Sequence, residues 1–349
     1  MSEARPATVL QSLNLALRQA LADDARVILL GEDILDPYGG AFKVTRGCST
    51  TFPDQVLATP ISEAGITGLA GGMALRGLRP VVEIMFGDFS TLIADQVLNH
   101  IAKFHGMYNG QASAPVVIRT PMGARRGYGP THSQTLERLF LGAPGLTVLA
   151  PFHLLGASPL GAPGQLLYDA ILGQDGPTFF VENKLQYLLK LLGPEALRDY
   201  DLRESPPADG FPAPTTTVAL KGAPPPQITL TAYGYMADLA LQALHRLAYE
   251  HEIFAELVVP TRLSPAQPDP LFASLRRTGR LLAIEEGTFS WGWGAEVLAR
   301  SAEAMGPALK RAGRIAAREA VIPVSTELEA AHLPQVSDII RQAREMVTA

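Results

Sequence analysis

Three side chains in the first half of the sequence could carry chemistry, and two of them also have an ordinary structural explanation. Glu63 follows Ser62, a residue type that begins helices, so its carboxylate should lie in the first helical turn, where the helix dipole stabilises an anion. Phe89 follows an apolar strand, and burial in a core explains such an aromatic residue. His132 lies in a loop rich in Gly, Arg and Tyr, where core packing explains little. The spacing alone leaves a helix-start acid and a core aromatic open, and it favours a functional role most for His132.

Other common catalytic and binding motifs are missing from the sequence. It contains no GxSxG, no P-loop, no HExxH and no CxxC, and the motif GWGAEV departs from a dinucleotide fingerprint at its sixth position. His100 and His105 are five residues apart, which is a poor spacing for a metal pair on a helix. Cys48 is the sole cysteine, so an internal disulfide is excluded. No metal ligand is therefore predicted in this chain.

The stretch from residue 59 to residue 89 must position two of the three candidates. Gly65, Gly68, Gly71 and Gly72 recur at near-helical spacing after Glu63, which weakens a helix and predicts that another backbone packs closely against that face. A mostly apolar strand, VVEIMF, follows at residues 81–86. The Glu63 carboxylate should therefore lie at the start of this helix, and Phe89 should lie just after this strand.

Helical and apolar segments alternate along the chain. A helix capped by Thr8 precedes the strand at residues 27–30. A second helix is predicted over residues 88–106, with Leu92 among its inward residues. The buried strand PVVIRT follows and ends at Thr120. This alternation predicts a parallel sheet of about five strands. The loop at residues 121–134, which carries His132, then lies beyond the carboxyl end of a strand, where open α/β sheets bind ligands.

The sequence divides into two α/β domains. The first is predicted over residues 1–200, a proline-rich interdomain linker over 201–227, and a smaller α/β domain, in which the alternation restarts, over 228–349. The predicted fold class is thus α/β, with a parallel-sheet domain followed by a second α/β domain.

Composition narrows the possible partners. The 349 residues carry a net charge of -5, which gives no basic field for nucleic acid. No apolar run is long enough to span a membrane, and the acidic start lacks the features of a signal or transit peptide. We therefore expect a cytoplasmic protein with no nucleic-acid or membrane partner. The hydrophobic fraction of 47% fits sheets covered on both faces and extensive interfaces.

Six ordered motifs resemble one enzyme family. The sequence is similar to the β subunit of the thiamine diphosphate-dependent decarboxylase component of 2-oxoacid dehydrogenases, of the pyruvate or branched-chain type. The family is transketolase-like, with a pyrimidine-binding domain followed by a transketolase C-terminal domain, usually in an α2β2 heterotetramer. The motifs are YGGAFKVTRG (38–47), TPISEAG (59–65), GLRPVVEIMFGDF (77–89), DQVLNHIAK (95–103), RTPMGARRGYGPTHSQTLE (119–137) and PGLTVLAP (144–151).

This resemblance assigns roles to four residues. Glu63 matches the glutamate that hydrogen-bonds the N1′ nitrogen of the cofactor aminopyrimidine, and Met85 and Phe89 match residues that line and stack against that ring. His132 matches an active-site histidine that donates protons or orients a lipoyl group. Tyr38 and the two glycines after it would lie near the mouth of the site.

The resemblance also implies partners. Family α subunits hold Mg²⁺ and the diphosphate through a GDG motif, which this sequence lacks, so a separate α-type chain should supply those ligands. The expected reaction is decarboxylation of a small 2-oxo acid and transfer of the acyl unit to a lipoyl domain or another acyl carrier. Arg125 and Arg126 could hold a substrate carboxylate or a carrier arm, or could be solvated or interface residues.

Two further interpretations remain open at this point. Departures from the family pattern, such as IPVSTELE at residues 322–329, allow a split transketolase-like or acyloin-forming carboligase that delivers a two-carbon unit to a carrier protein or another acceptor. A scaffold subunit that has lost its chemistry is the third, but the presence of Glu63 and His132 argues against it.

Overall fold

The fold begins with a helix whose start is fixed by a capping box. The structure, a computed structural model, describes residues 5–348. The Thr8 hydroxyl accepts from the Gln11 amide, and the Gln11 side chain accepts from the Thr8 amide, both at 3.3 Å. Apolar residues at helical spacing then bury one face of the helix, as predicted. The chain divides into two units, residues 5–123 with 139–193 and residues 124–138 with 194–348.

The first unit alternates helices and strands. Its helices are α1 (Val9–Asp23), α2 (Cys48–Thr51), α3 (Glu63–Leu75), α4 (Phe104–Met107) and α5 (Gly161–Leu172). Its strands are β1 (Val27–Gly31), β2 (Val56–Ala58), β3 (Arg79–Glu83), β4 (Val117–Met122), β5 (Thr147–Leu149) and β6 (Thr178–Asn183).

The six strands of this unit are parallel and lie in the order β5-β6-β4-β3-β1-β2. Four of them, β1, β3, β4 and β6, are buried along their whole length, which is why each carries a short apolar run in the sequence. The sequence predicted about five strands and missed β2, because only three residues pair there. The predicted parallel α/β sheet is confirmed.

Within the described residues, Gly68 and Gly71 of α3 face side chains rather than the backbone that was predicted. A Cβ at Gly71 would lie 3.0 Å from Ile101 Cγ1, and one at Gly68 would lie 3.0 Å from Gln96 Oε1. A Cβ at Gly72 would meet nothing within 4 Å among the described residues. Two of the glycines therefore admit the segment at residues 96–103, and Gly72 leaves the helix surface open.

The segment predicted as one helix over residues 88–106 is a series of short turns. Turns of 3-10 type at Gly87–Ile93 and Ile101–Lys103 flank a π-helical turn at Gln96–His100, and α4 follows. The changes of helical pitch rotate the apolar side chains out of one stripe. Leu92, predicted to face inward, is therefore 54% exposed, whereas Ile93 and Val97 are buried.

The second unit is also α/β. Its helices are α6 (Gly234–His251), α7 (Asp269–Thr278), α8 (Trp293–Met305), α9 (Thr326–His332) and α10 (Val336–Thr348). Its strands are β7 (Tyr200–Ser205), β8 (Thr215–Leu220), β9 (Ile228–Ala232), β10 (Ala255–Pro260), β11 (Arg262–Ser264), β12 (Arg280–Thr288) and β13 (Arg311–Ala317). Short 3-10 turns lie at Gln186–Leu188 in the first unit, at Gly306–Ala308 in the second unit, and at Glu137–Leu139 where the chain passes from the second unit to the first.

Six of these strands form a mixed sheet in the order β13-β12-β9-β10-β8-β7. The four strands from β13 to β10 are parallel, whereas β8 pairs antiparallel with both β10 and β7. The stretch predicted as a linker, residues 201–227, therefore differs from expectation, because most of β7 and all of β8 lie in it. Its prolines cluster outside the two strands, where they interrupt no ladder hydrogen bond.

Among residues 5–348, none of the helices combines the length and the apolar character needed to cross a bilayer.

Candidate active site

The predicted site residues of the first unit follow neighbouring strands. Glu63 opens α3 shortly after β2, and Met85 and Phe89 follow β3. The strand β1 lies between β2 and β3, and all three are parallel, so their carboxyl ends meet at one edge of the sheet. Met85 and Phe89 are half-buried at the end of an otherwise buried strand. This edge thus combines a carboxylate with partly open apolar side chains.

A second acid lies beside Glu63. Glu63 is 8% exposed, and Glu32, the residue after β1, is also buried. Burial and next the Glu63 charge raise the pKa of Glu32, while the Ser62 amide donates to its carboxylate and lowers it. Glu32 Oε1 is buried and receives no hydrogen bond from the residues that the structure describes. Glu32 therefore favours holding a proton at this edge.

Phe89 belongs to a row of packed aromatic rings, called here the aromatic shelf, that also includes Phe86, Phe42 and Tyr187. The Phe89 ring meets Phe86 edge to face at a centroid distance of 5.8 Å, and Phe86 meets Phe42 at 5.5 Å. Phe42 in turn packs against Tyr187 at 5.4 Å. The ammonium of the fully buried Lys184 lies 5.2 Å from the centre of the Phe86 ring. These contacts fix the orientation of Phe86 and Phe89.

A buried ionic network lies under the shelf. Arg119 is 1% exposed and donates to Glu182 at 2.8 and 2.6 Å and also to Glu83. Tyr187 donates its hydroxyl proton to Glu182. Burial raises the pKa of Glu83, and the Arg119 guanidinium opposes that rise. The network joins β3, β4 and β6 beneath the site.

The network also lies close against the glycine turn that was predicted near the mouth of the site. Gly40 has a φ of +79°, and a Cβ there would lie 2.5 Å from Glu83 Oε1. A side chain at this position would therefore collide with the network, in addition to the strain of the left-handed backbone. The preceding Tyr38 is exposed, and the Lys43 ammonium lies 3.5 Å from the centre of its ring.

Residues 124–138, called here the His132 segment, belong to the second unit. Carboxylates bind the backbone at the beginning of this segment. The Ala124 amide donates to Glu286 at 2.7 Å. The Arg125 and Gly127 amides donate to the two oxygens of Glu329 at 2.9 and 3.2 Å. Glu329, on α9, is almost fully buried. Three backbone amides of the segment are thus bound to acids of its own unit.

The end of the segment is held by two adjacent residues. Tyr233 donates to Glu137 at 2.6 Å, and Arg138 donates to the Thr288 hydroxyl and, at 3.1 Å, to the Ser290 carbonyl. His132 lies between these anchored ends and is half-buried, with its Nδ1 2.9 Å from the Thr131 hydroxyl oxygen. The fold therefore presents the imidazole on a loop whose two ends are fixed.

Arg125 has a structural role in this segment. Its guanidinium donates to the Pro334 carbonyl, and its Cζ lies 5.6 Å from the centre of the Tyr235 ring. Its backbone adopts φ +70°, which a non-glycine residue rarely does. These contacts make Arg125 an anchor of the fold, a role that neither sequence-based alternative for this residue included. Arg126 is exposed.

Comparison with known proteins adds the family. Residues 5–188 match the transketolase pyrimidine binding domain, and residues 219–339 match the transketolase C-terminal domain. A rice protein named pyruvate dehydrogenase E1 component subunit beta-2, mitochondrial, is 37% identical over 98% of this chain and 86% of its own length. The acetoin:2,6-dichlorophenolindophenol oxidoreductase subunit beta of Bacillus subtilis is 34% identical over 99% of this chain and 98% of its own.

The chain is a β subunit of the thiamine diphosphate-dependent 2-oxoacid dehydrogenase family. A solved structure entitled split gene transketolase, inactive beta4 tetramer, matches this β subunit with a TM-score of 0.74 over 98% of the chain and 99% of its own, at 20% identity, which shows the shared fold. The predicted family, transketolase-like fold and enzyme class are confirmed. The carboligase interpretation is not favoured, because these curated relatives are named as dehydrogenase and oxidoreductase subunits.

Sequence reasoning missed several charged residues that support, within each unit of this β subunit, the segments carrying the predicted site residues. A usable signal was present in the strands, because Glu83, Arg119 and Glu182 each interrupt an apolar run near its carboxyl end. In the sheet Glu83 pairs in register with Arg119. Charges at matching positions of buried parallel strands indicate an ionic network. Glu285 also follows an apolar run on its strand, whereas Glu137 and Glu329 gave no such signal, because their partners Tyr233 and Arg125 lie far away in the sequence.

Proposed function

We propose that this β subunit supplies the pyrimidine end of a thiamine diphosphate site and that an α-type subunit supplies the diphosphate and Mg²⁺ ligands. Together the two chains would decarboxylate a small 2-oxo acid and pass the acyl unit to a lipoyl carrier. The observation that carries this proposal is a buried glutamate, Glu63, at the same sheet edge as the half-buried Met85 and Phe89.

The residues at this edge fit an aminopyrimidine. A ring nitrogen needs a carboxyl group as its hydrogen-bond partner, and Glu63 offers one at the start of α3. The neighbouring Glu32 has a buried oxygen that no described residue hydrogen-bonds, so a proton or a ligand group is required there. The sulfur of Met85 and the ring of Phe89 would contact the flat faces of the heterocycle.

The chain's own contribution to the chemistry is proton handling and positioning. Bound thiamine diphosphate supplies a carbanion stabilised by its thiazolium ring. Glu63 would share a proton with the pyrimidine nitrogen, and the burial of its carboxyl group would strengthen this hydrogen bond. His132 would donate a proton or orient the lipoyl group from its anchored segment.

Partners and location are part of the same proposal. The curated relatives are named as β subunits, which supports an α-type partner in a heterotetramer. Among residues 5–348 there is no group of three His, Cys, Asp or Glu side chains that could hold a metal. The cytoplasmic location stays a prediction, since plant relatives are named mitochondrial and the Bacillus relative is not.

Reconstitution with an α-type chain tests this function. The pair would be assayed for decarboxylation of pyruvate and branched 2-oxo acids with an artificial electron acceptor, and for acylation of a lipoyl domain. We expect Glu63→Gln to lower decarboxylation by about a hundredfold or more, because the amide cannot share a proton with the ring nitrogen. Asp54→Asn, an exposed acid of the same unit, is the matched control and should keep full activity.

Two results would contradict the proposal. Unchanged decarboxylation by the Glu63→Gln pair would remove the proton-sharing role of this residue. Failure of the wild-type pair to acylate a lipoyl domain with any 2-oxo acid, while remaining active as a carboligase, would show that the acceptor is a different molecule.

A further inference from the structure

Two buried acids meet where the His132 segment ends. Glu137 lies in the segment and is 1% exposed, and Glu285 lies on β12 and is fully buried. Both belong to the second unit. A Cβ on Gly287 would lie 3.6 Å from Glu285 Oε2 and 3.7 Å from Glu137 Oε1, so both carboxyl groups converge on this glycine.

Each acid has one hydrogen-bonded oxygen and one oxygen without a donor. Tyr233 donates to Glu137 Oε1 at 2.6 Å, and the Gly294 amide donates to Glu285 Oε1 at 2.9 Å. Both Oε2 atoms are buried and receive no hydrogen bond from residues 5–348. Two ionised carboxylates in this arrangement would carry adjacent, poorly compensated charges.

The surrounding charges do not neutralise the pair. Burial and next the Glu137 charge raise the pKa of Glu285 to about 7, against the amides of Gly294 and Trp293 and the charge of Arg314, which lower it. Burial also raises the pKa of Glu137, against the Tyr233 hydroxyl and the Arg138 charge.

A third acid acts in the same direction. The Glu286 charge adds to the rise in the pKa of Glu137. The surroundings therefore favour retention of a proton by the pair near neutral pH.

We propose that Glu137 and Glu285 form a proton-dependent clamp that positions the His132 segment. With one carboxyl group protonated, the end of the segment is held against β12; when both are ionised, their repulsion loosens it. The link from this clamp to catalysis rests on the function proposed above for His132. Glu137 and Glu285 are thus positioning residues that act through the segment.

Hydrogen–deuterium exchange of the full chain tests the clamp directly. Amide exchange of peptides within residues 129–139 would be compared between wild type and Glu285→Gln from about pH 5 to about pH 8. The glutamine keeps an acceptor for the Gly294 amide and places a permanent N–H donor beside Glu137. We expect the ratio of the wild-type exchange rate to the variant exchange rate to rise at least tenfold from about pH 5 to about pH 7, because opening of the segment releases the proton from the pair. Above about pH 7 this ratio should stay level.

The control variant separates the clamp from the effect of removing any partly buried acid. Asp169→Asn removes a half-buried acid of α5, whose pKa burial also raises, and should leave the exchange of the segment unchanged. Glu137→Gln provides a second test if Glu285→Gln folds poorly. A ratio of wild-type to Glu285→Gln exchange that stays constant with pH would overturn the proposal.

Activity of the reconstituted pair then tests positioning. We expect wild-type turnover to fall as the pH rises through about 7, and Glu285→Gln to lack this fall. Coincident pH profiles would show that the clamp does not position His132, whatever the exchange shows. Because the exchange experiment needs neither partner nor cofactor, a failure of the proposed enzyme function would leave its result intact.

Discussion

Glu285 couples the stability of the second unit to pH. Its pKa rises from 4.5 to about 7 through burial and the Glu137 charge. The folded chain therefore binds more protons than the unfolded chain between these values, so the free energy of unfolding falls as the pH rises from about 4.5 to 7 and is level above that.

We expect Glu285→Gln to remove this slope. The full shift corresponds to about 3 kcal/mol, so the variant should gain up to that amount relative to wild type at about pH 8 and nothing near pH 4. Urea unfolding followed by circular dichroism across this pH range measures the difference. Parallel slopes for the two proteins would show that Glu285 ionises normally.

Arg119 offers a second test at the scale of single residues. Arg119→Met would leave Glu83 and Glu182 facing each other in the core without their counter-charge, which typically costs about 3–5 kcal/mol. Urea unfolding at neutral pH measures the loss. Arg26→Met, which removes an exposed pair with Asp24, is the control and should change little. A wild-type midpoint for Arg119→Met would contradict the structural importance of the network.

The elements show where sequence periodicity is informative and where it fails. Buried strands such as β1 and β6 are predictable, because both of their faces are covered and each carries an uninterrupted apolar run, at residues 27–30 and 179–181. The antiparallel strands β7 and β8 were not predicted, because neither carries a long apolar run. The side chains of β7 are half-buried or exposed, and β8 begins with three threonines. Proline-rich flanks then favoured a linker over a sheet edge.

At the scale of elements, α9 should hold the start of the His132 segment through one carboxylate. Glu329→Ala would leave the Arg125 and Gly127 amides without their acceptor, at a cost of about 1–3 kcal/mol per group that stays buried. We expect faster amide exchange at residues 124–127 in this variant. Glu327→Ala, an exposed acid on the same helix, should leave exchange at wild-type rates. Equal exchange in both variants would show that other contacts suffice.

The whole molecule explains why the candidate site was only partly predictable. Glu63, Met85 and Phe89 lie close in sequence and around one sheet edge, so local motifs were enough to propose them together. His132 was proposed from its motif, but its place in the second unit was not predicted, because the anchoring acids Glu286 and Glu329 lie about 150–200 residues further along the chain. Contacts between distant segments leave no periodic signal in a single sequence.

The proposed division of the cofactor site between two chains makes a prediction about ligand binding. A ligand stabilises a folded protein in proportion to the logarithm of its concentration over its dissociation constant, so half a site should give little stabilisation. We expect thiamine diphosphate with Mg²⁺ to leave the Tm of the isolated chain unchanged and to raise that of the reconstituted pair by several degrees.

Differential scanning fluorimetry of both samples measures these shifts, and a chelator provides the control. Addition of EDTA to the reconstituted pair should reverse the rise, because the metal holds the diphosphate, and should not affect the isolated chain. If instead the isolated chain gained several degrees with cofactor and metal, this chain would hold the diphosphate end as well, and the proposed division of ligands between the two subunits would be wrong.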